Sequence, residues 1–452
     1  MPLLRYLFFS KKLSSAQIIS LSFAIAIAIG TFLLSLPISH ASGHYVGVID
    51  AFFTATSALC VTGLAVVDTG STYSRFGQVV ILLLVQAGGL GIITLGTFVA
   101  LLSGRRIGFR ERMNLQAQIN SLHVGGVVRL IRQIVLLVFS FELMGALLLY
   151  IRFAPLEGWG DGVFFALFHS VNAFNNAGFG LYPDNLIHFV LDPLVNFIMM
   201  ILIVLGGLGF IVQTDLIMHY RRRGQRRPLL LNTKLALTAT VFLIAAGTLI
   251  ILIFEWSNSK TLGPLALPHK LLASLFQSIT PRTAGFNTLD YAIMREGTLI
   301  FTLLLMFIGG NPGSTAGGIK TVTFFVLLGS AWSISRGQGE FVIFGRRLAP
   351  EMIVRAGSIA LISVVVLGAA ITLLTFTDPG LDAFALAFEA VSAFATVGLS
   401  VGITPELSAA SKFIIIMLMY FGRLGPLTFA LALVERPNER RINYAAEDIV
   451  IG

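Results

Sequence analysis

Ser57-Ala58-Leu59-Cys60-Val61-Thr62-Gly63-Leu64 has three partners further along the chain: Asn172-Ala173-Phe174-Asn175-Asn176-Ala177-Gly178-Phe179, Ile279-Thr280-Pro281-Arg282-Thr283-Ala284-Gly285-Phe286 and Ser392-Ala393-Phe394-Ala395-Thr396-Val397-Gly398-Leu399. Aligned on their glycines, they agree beyond composition. Ten residues before each glycine stand Phe53, Phe168, Leu275 and Phe388, and five before stand Ala58, Ala173, Thr280 and Ala393. Each copy has a short helical pattern and then the glycine, too short to span a bilayer but long enough to dip halfway into one. Four such copies can close a ring. Extended backbone lined by carbonyl oxygens is how a protein replaces the hydration shell of a monovalent cation inside a membrane.

The surroundings fit a membrane. Hydrophobic residues make up 56% of the chain and charged residues 12%, and the mean hydropathy is +0.87. Runs near the length needed to span, about 20 residues, extend over 18–37, 79–102, 127–151, 194–218, 235–255, 299–334, 352–376 and 413–434. The first follows Lys11 and Lys12, as a signal peptide would, but seven further runs argue for a membrane helix. The expected fold is therefore an all-α polytopic membrane protein with eight transmembrane helices. The lone Cys60 excludes an internal disulfide framework and a thiolate metal cluster.

The basic character, with a pI near 9.9, reports topology rather than nucleic acid. The N-terminus, the loops at 105–132, 221–234 and 336–355, and the C-terminus carry 22 of the 31 Lys and Arg residues and, with Asp215 and Glu435 at their edges, eight acids. These segments all fall on one side, which the positive-inside rule makes cytoplasmic. The opposite side carries six bases and twelve acids, a field that gathers cations.

The repeated unit is larger than the glycine segment. Within 24 to 28 residues of each glycine the next helix carries a second small-residue cluster: Gly88-Gly89-Leu90-Gly91, Gly206-Gly207-Leu208-Gly209, Gly309-Gly310-Asn311 and Gly422-Arg423-Leu424-Gly425. Each unit reads as outer helix, half-buried pore helix, extended filter and inner helix, all four running the same way around an axis normal to the membrane. The expected organisation is an N-terminal segment 1–16, repeats over 17–104, 105–220, 221–336 and 337–435, and a cytoplasmic tail 436–452. Glycine suits the filter because inward-turned carbonyls need backbone angles that side chains resist.

The third inner helix is expected to break. Residues 309–318 hold five glycines and a proline, with helix penalties of about 1 kcal/mol per glycine and about 3 for proline. A phosphate-binding loop is excluded because Ile319 separates Gly318 from Lys320. No HExxH or GxSxG occurs and Cys60 lacks an evident base, so the chain is not read as an enzyme.

The fourfold unit, Val61-Thr62-Gly63-Leu64 and Thr280-Pro281-Arg282-Thr283-Ala284-Gly285-Phe286-Asn287 resemble the Trk/Ktr/HKT superfamily of potassium translocators over nearly the whole chain. Within it the likeness is greatest to the membrane subunit of bacterial Ktr systems. The resemblance implies potassium as the transported substrate, sodium as an activator, no covalent cofactor, a bacterial plasma-membrane location and a homodimer on a cytoplasmic nucleotide-binding ring of the KtrA type. It makes the carbonyls of Val61, Thr62, Gly63, Asn176, Ala177, Gly178, Thr283, Ala284, Gly285, Thr396, Val397 and Gly398 the ion ligands. A glycine at the position of Gly63 goes, in that family, with potassium preference, and serine with sodium permeation.

It also makes Gly309, Gly310, Asn311, Gly313, Ser314, Thr315, Gly317, Gly318 and Lys320 a mobile gate below the filter. Arg423, a buried arginine at bilayer depth, is expected to hold that gate through its carbonyls; a pair with Glu142 is the structural alternative. Arg282 is expected to clamp the filter, with Glu389 as a partner through space. The alternative function is a sodium-coupled secondary cation transporter, against which stand the parallel repeats and the scarcity of charged midplane residues.

Overall fold

The computed structural model of the protein describes residues 14–43, 45–102, 127–221, 228–337 and 340–425. The N-terminus before Ser14, most of the Arg105 and Arg221 loops, and the tail, including the end of the run expected over 413–434, lie outside the described residues.

Among the described residues, four helices are long and apolar enough to cross a membrane: α1 (Ser15–Leu34), α5 (Val127–Glu157), α9 (Leu231–Glu255) and α13 (Pro350–Thr377). Each is followed by a short apolar helix: α2 (Val48–Cys60), α6 (Trp159–Asn175), α10 (Leu267–Ile279) and α14 (Ala383–Ala395). The inner segments are α3 (Arg75–Leu90) with α4 (Ile92–Leu102), α7 (Pro193–Leu208) with α8 (Phe210–Arg221), α11 (Glu296–Phe307) with α12 (Thr321–Ser335), and α15 (Ala409–Leu424). This is a multi-pass helical membrane protein. Its outer helices leave Leu147, Val241, Phe242, Leu361 and Val364 exposed, a surface that lipid would cover.

Local chemistry starts these helices where the loops end. Ser14 and Gln17 form a reciprocal capping box on α1, at 2.9 and 3.2 Å. Asp192 caps α7 through the N–H groups of Leu194 and Val195, with Pro193 at the first helical position. Asp382 and Ser408 cap α14 and α15.

One expectation needs correction. The inner helices are not continuous spans interrupted only in the third copy: α3 stops at Gly91 (φ 83), α7 at Gly209 (φ 89) and α15 at Gly425 (φ 83). The bend between α7 and α8 is 97°. A left-handed residue cannot continue the i to i−4 ladder, so the last glycine of each cluster is a helix stop. Among the described residues, four helices are thus long and apolar enough to cross alone, or five spans if the bent pair counts as one. The described residues are otherwise helical, as expected, apart from one short hairpin. A two-stranded hairpin pairs β1 (Val342–Ile343) with β2 (Arg346–Arg347) through a turn at Phe344 and Gly345, both with positive φ.

Packing runs in a closed circuit. The short helix of each unit packs on its preceding long helix, as α2 on α1, α6 on α5, α10 on α9 and α14 on α13. Each inner helix then packs on the next short helix: α3 on α6, α7 on α10, α11 on α14, and α15 back on α2. Phe53, Phe168 and Phe388, ten residues before their glycines, are fully buried, and Leu275 is half-buried. The repeated large apolar residue is therefore a core residue of the circuit.

Candidate functional site

The ends of the four short helices converge. Helices α2, α6 and α14 finish in left-handed residues that are not glycine, Val61 (φ 59), Asn176 (φ 59) and Thr396 (φ 52). In each, the next N–H reaches back five residues to a carbonyl at 2.8 Å: Thr62 to Ser57, Ala177 to Asn172 and Val397 to Ser392. This is a Schellman-type end, and it turns the chain into the extended segment that carries the glycine. The third copy departs: α10 ends at Thr280, and the left-handed residue is Thr283 (φ 72).

Gly63, Gly178, Gly285 and Gly398 have φ of 92, 72, 76 and 89°. A Cβ on Gly63 would meet the Ala177 carbonyl, on Gly178 the Cα of Gly285 at 2.9 Å, on Gly285 the Val397 carbonyl at 2.6 Å, and on Gly398 the Thr62 carbonyl. The contacts return to their start. Four backbone segments therefore meet around one point with no room for a side chain.

Two features make this point attractive to a cation. The short helices direct their C-terminal ends, which carry partial negative charge, towards it. The hydroxyls of Thr62, Thr283 and Thr396 are buried without a hydrogen-bond partner among the described residues. An orphaned buried hydroxyl is costly unless something occupies its lone pairs.

Sequence reasoning missed the side chains that brace these segments. Ser57 Oγ donates to the Leu64 carbonyl at 2.7 Å and accepts from the Gly63 N–H at 3.1 Å, and Ser392 Oγ accepts from the Gly398 N–H at 3.1 Å. Thr280 Oγ1 donates to the Phe286 carbonyl. The signal was present, since Ser57 and Ser392 both stand six residues before their glycines.

The constant offset to the second glycine cluster has a steric cause. A Cβ on Gly88, Gly206 or Gly422 would overlap the carbonyl of Leu59, Phe174 or Phe394, each four residues before its ring glycine. Gly206→Ala is therefore expected to lower the Tm of the purified protein by a few degrees, the overpacking cost being about 1–3 kcal/mol. Gly207, whose added Cβ would find only Asn176 Nδ2 at 3.6 Å, is the control. Equal behaviour of the two alanine variants would remove the close-approach account.

Between α11 and α12 the chain leaves helix, as expected, and its feet are tied together. Ile308 and Ile319 form a parallel bridge, Gly309 N–H donates to the Ile319 carbonyl at 2.9 Å, and Thr321 N–H donates to the Gly310 carbonyl at 3.0 Å. The loop leans on α7, with Asn311 N–H on the Gly207 carbonyl at 3.0 Å and Phe210 N–H on the Gly313 carbonyl at 2.9 Å. Ser314 caps it internally through the Asn311 carbonyl, and Lys320 Nζ donates to the Ala316 carbonyl at 2.6 Å. A Cβ on Gly317 would strike the Thr396 side chain, and one on Gly318 would lie 3.2 Å from Ala395 Cα. The loop thus abuts both α7 and the end of α14.

Arg423 donates to two carbonyls, that of Thr315 in the loop and that of Gly88 at the end of α3. Glu142 instead accepts from Asn175 at 2.8 Å and Gln86 at 3.2 Å. A cavity of about 160 Å3 beside the loop is lined by Gly88, Ser314, Ala316, Lys320, Gly422 and Arg423, among others. Arg282 and Glu389 are not partners: among the described residues no ion pair joins them. Arg282 donates to Thr240 Oγ1 at 3.2 Å, and Glu389 accepts from Ser400 and, at 3.1 Å, from Thr404. They sit on different repeats, and local hydroxyls satisfy the carboxylate first.

A multi-pass helical membrane protein that gathers glycine backbone at its centre, between a tied loop and an arginine, falls in the class of membrane transport proteins. The family described as TrkH, cation transport protein, matches residues 6–444, and the chain belongs to it. It is 45% identical to the Ktr system potassium uptake protein B of Bacillus subtilis over 96% of both chains. It is 36% identical to the potassium/sodium uptake protein NtpJ of Enterococcus hirae over 98% of both. The solved structure of the potassium transporter TrkH from Vibrio parahaemolyticus shares the fold, with a TM-score of 0.73 at 19% identity, covering 94% of this chain and 86% of that one. The chain is accordingly a transport protein and not an enzyme.

Proposed function

We propose that this chain is the potassium-selective, ion-translocating subunit of a Ktr-type uptake system. The observation that carries the reading is the closed ring of Gly63, Gly178, Gly285 and Gly398, each at positive φ and each against the neighbouring segment. Carbonyls of residues 61–63, 176–178, 283–285 and 396–398 would serve as ion ligands, replacing water around a dehydrated cation. The four units over 17–104, 105–220, 221–336 and 337–435 would enclose one pore per chain, counting eight crossings when the broken inner helices are taken as spans.

The loop over 309–320 would be the gate, held by Arg423. Its ties to α7 and α3 support that role, because a segment with few but specific contacts can exchange between two arrangements. A homodimer in a bacterial plasma membrane, both termini cytoplasmic, under a nucleotide-binding regulatory ring, is what the superfamily resemblance implies, and the Ktr system in the name of the Bacillus subtilis relative supports partner components. The name of the Enterococcus hirae relative favours sodium as a second cation, activating or co-transported.

Potassium and sodium uptake in cells lacking their own potassium uptake, with and without the cytoplasmic partner, tests this. Partner-dependent potassium flux exceeding sodium flux is expected. Equal flux of both ions, or strict one-to-one dependence of potassium on sodium, would favour the sodium-coupled secondary transporter.

A further inference from the structure

One hydroxyl on α9 stands between the ring and the loop. Thr240 is buried, and its Oγ1 receives two donors, Arg282 Nη2 at 3.2 Å and Asn311 Nδ2 at 3.2 Å. Other threonines on this helix behave differently: Thr238 and Thr248 turn their hydroxyls back to the carbonyls of Lys234 and Ile244, at 2.8 and 2.7 Å. Arg282 immediately precedes Thr283, the left-handed residue of the third segment. Asn311 belongs to the loop and also holds the Gly207 carbonyl, through its N–H at 3.0 Å and its side chain at 3.3 Å. A single oxygen therefore joins the third segment to the loop.

The junction is incompletely satisfied in a complementary way. Arg282 Nε, a donor, and Asn311 Oδ1, an acceptor, are both buried without partners among the described residues. Buried networks of this kind tie the position of one member to that of the others.

We propose that Thr240 is a positioning residue that couples the loop to the third segment of the ring, so that loop release and ion preference change together. This rests on the reading of the loop as a gate and of the ring as a filter. The guanidinium is held by the same hydroxyl that holds the loop. Loss of that hydroxyl frees both: the loop loses a tie in its closed arrangement, and Arg282 can shift the carbonyls of Thr283 and Ala284.

The test uses the full chain in potassium-uptake-deficient cells, with and without the cytoplasmic partner, measuring potassium and sodium uptake in Thr240→Val, Thr240→Ser, Asn311→Ala and the Thr240→Val/Asn311→Ala double variant. Thr240→Val is expected to raise partner-independent potassium flux about tenfold and to lower the potassium-over-sodium preference several-fold, which is the scale of a lost hydrogen bond to a charged group. Thr240→Ser should restore both. Asn311→Ala should raise the partner-independent flux, and the double variant should exceed the larger single effect little, because the two changes remove one link.

Unchanged flux and preference in Thr240→Val at normal membrane abundance overturns the coupling, as do effects that multiply in the double variant. Thr240→Ala takes its place if the valine variant does not accumulate. Failure of the broader reading looks different, since the unmodified chain would then show no partner-dependent potassium flux at all.

Discussion

Gly63→Ser is expected to reduce the preference for potassium over sodium by about tenfold or more, measured as competitive uptake of the two ions at equal protein abundance. Gly63 has φ 92, and a Cβ there would run into the Ala177 carbonyl and lie 3.0 Å from Gly178 Cα. A non-glycine residue held in such backbone costs about 1–3 kcal/mol, and every 1.4 kcal/mol is a factor of about ten in a binding ratio. The strain is as large as the discrimination the ring has to provide. The ring therefore relaxes instead of keeping its spacing: the segment carrying Val61, Thr62 and Gly63 moves away from its neighbour, and the smaller ion is no longer excluded. Gly398→Ser should act similarly, its Cβ meeting the Thr62 carbonyl of the same segment. Unchanged preference in both variants would remove residues 61–63 and 396–398 from the ion path.

Arg423→Ala is expected to raise potassium flux in the absence of the cytoplasmic partner by about tenfold to a hundredfold. The guanidinium bonds the carbonyl of Thr315 in the loop and that of Gly88 at the end of α3, so one side chain ties the loop to a different inner helix. A hydrogen bond from a charged donor is worth about 1.5–3 kcal/mol, and both are lost together. Arg423→Lys should recover only part of the effect, since a single ammonium lacks the planar fork that reaches two carbonyls. Partner-independent flux equal to that of the unmodified chain in Arg423→Ala would mean that the loop is closed by its contacts with α7 alone.

Much of the architecture was legible because it is repeated. A glycine at one position is weak information, whereas Gly63, Gly178, Gly285 and Gly398 at the end of four similar apolar segments point to four similar units, and the closed circuit of helix packing agrees. The break between α11 and α12 was equally readable, since five glycines and a proline leave no helical alternative. The breaks at Gly91, Gly209 and Gly425 were not: each closes a cluster of only two or three glycines, at about 1 kcal/mol apiece in a helix, inside a long apolar run. At Gly209 the turn is decided by what lies against it. A Cβ on Gly209 would meet the Pro312 carbonyl of the loop at 2.6 Å, and Pro312 is about a hundred residues distant in the chain.

The same division holds at the site. Residue types and offsets determined which backbone segments approach one another, because only glycine tolerates the positive φ and the close carbonyls found there. Partnerships were decided by the tertiary structure. Arg282 turned to Thr240 and not to Glu389, Arg423 spanned Thr315 and Gly88 while Glu142 bonded Gln86 and Asn175, and Ser57 and Ser392 became the braces of the extended segments. Spacing along a chain conveys local conformation and repetition. A buried polar group bonds whichever complementary group the packed helices bring within about 3 Å, and that choice exists only once the circuit has closed.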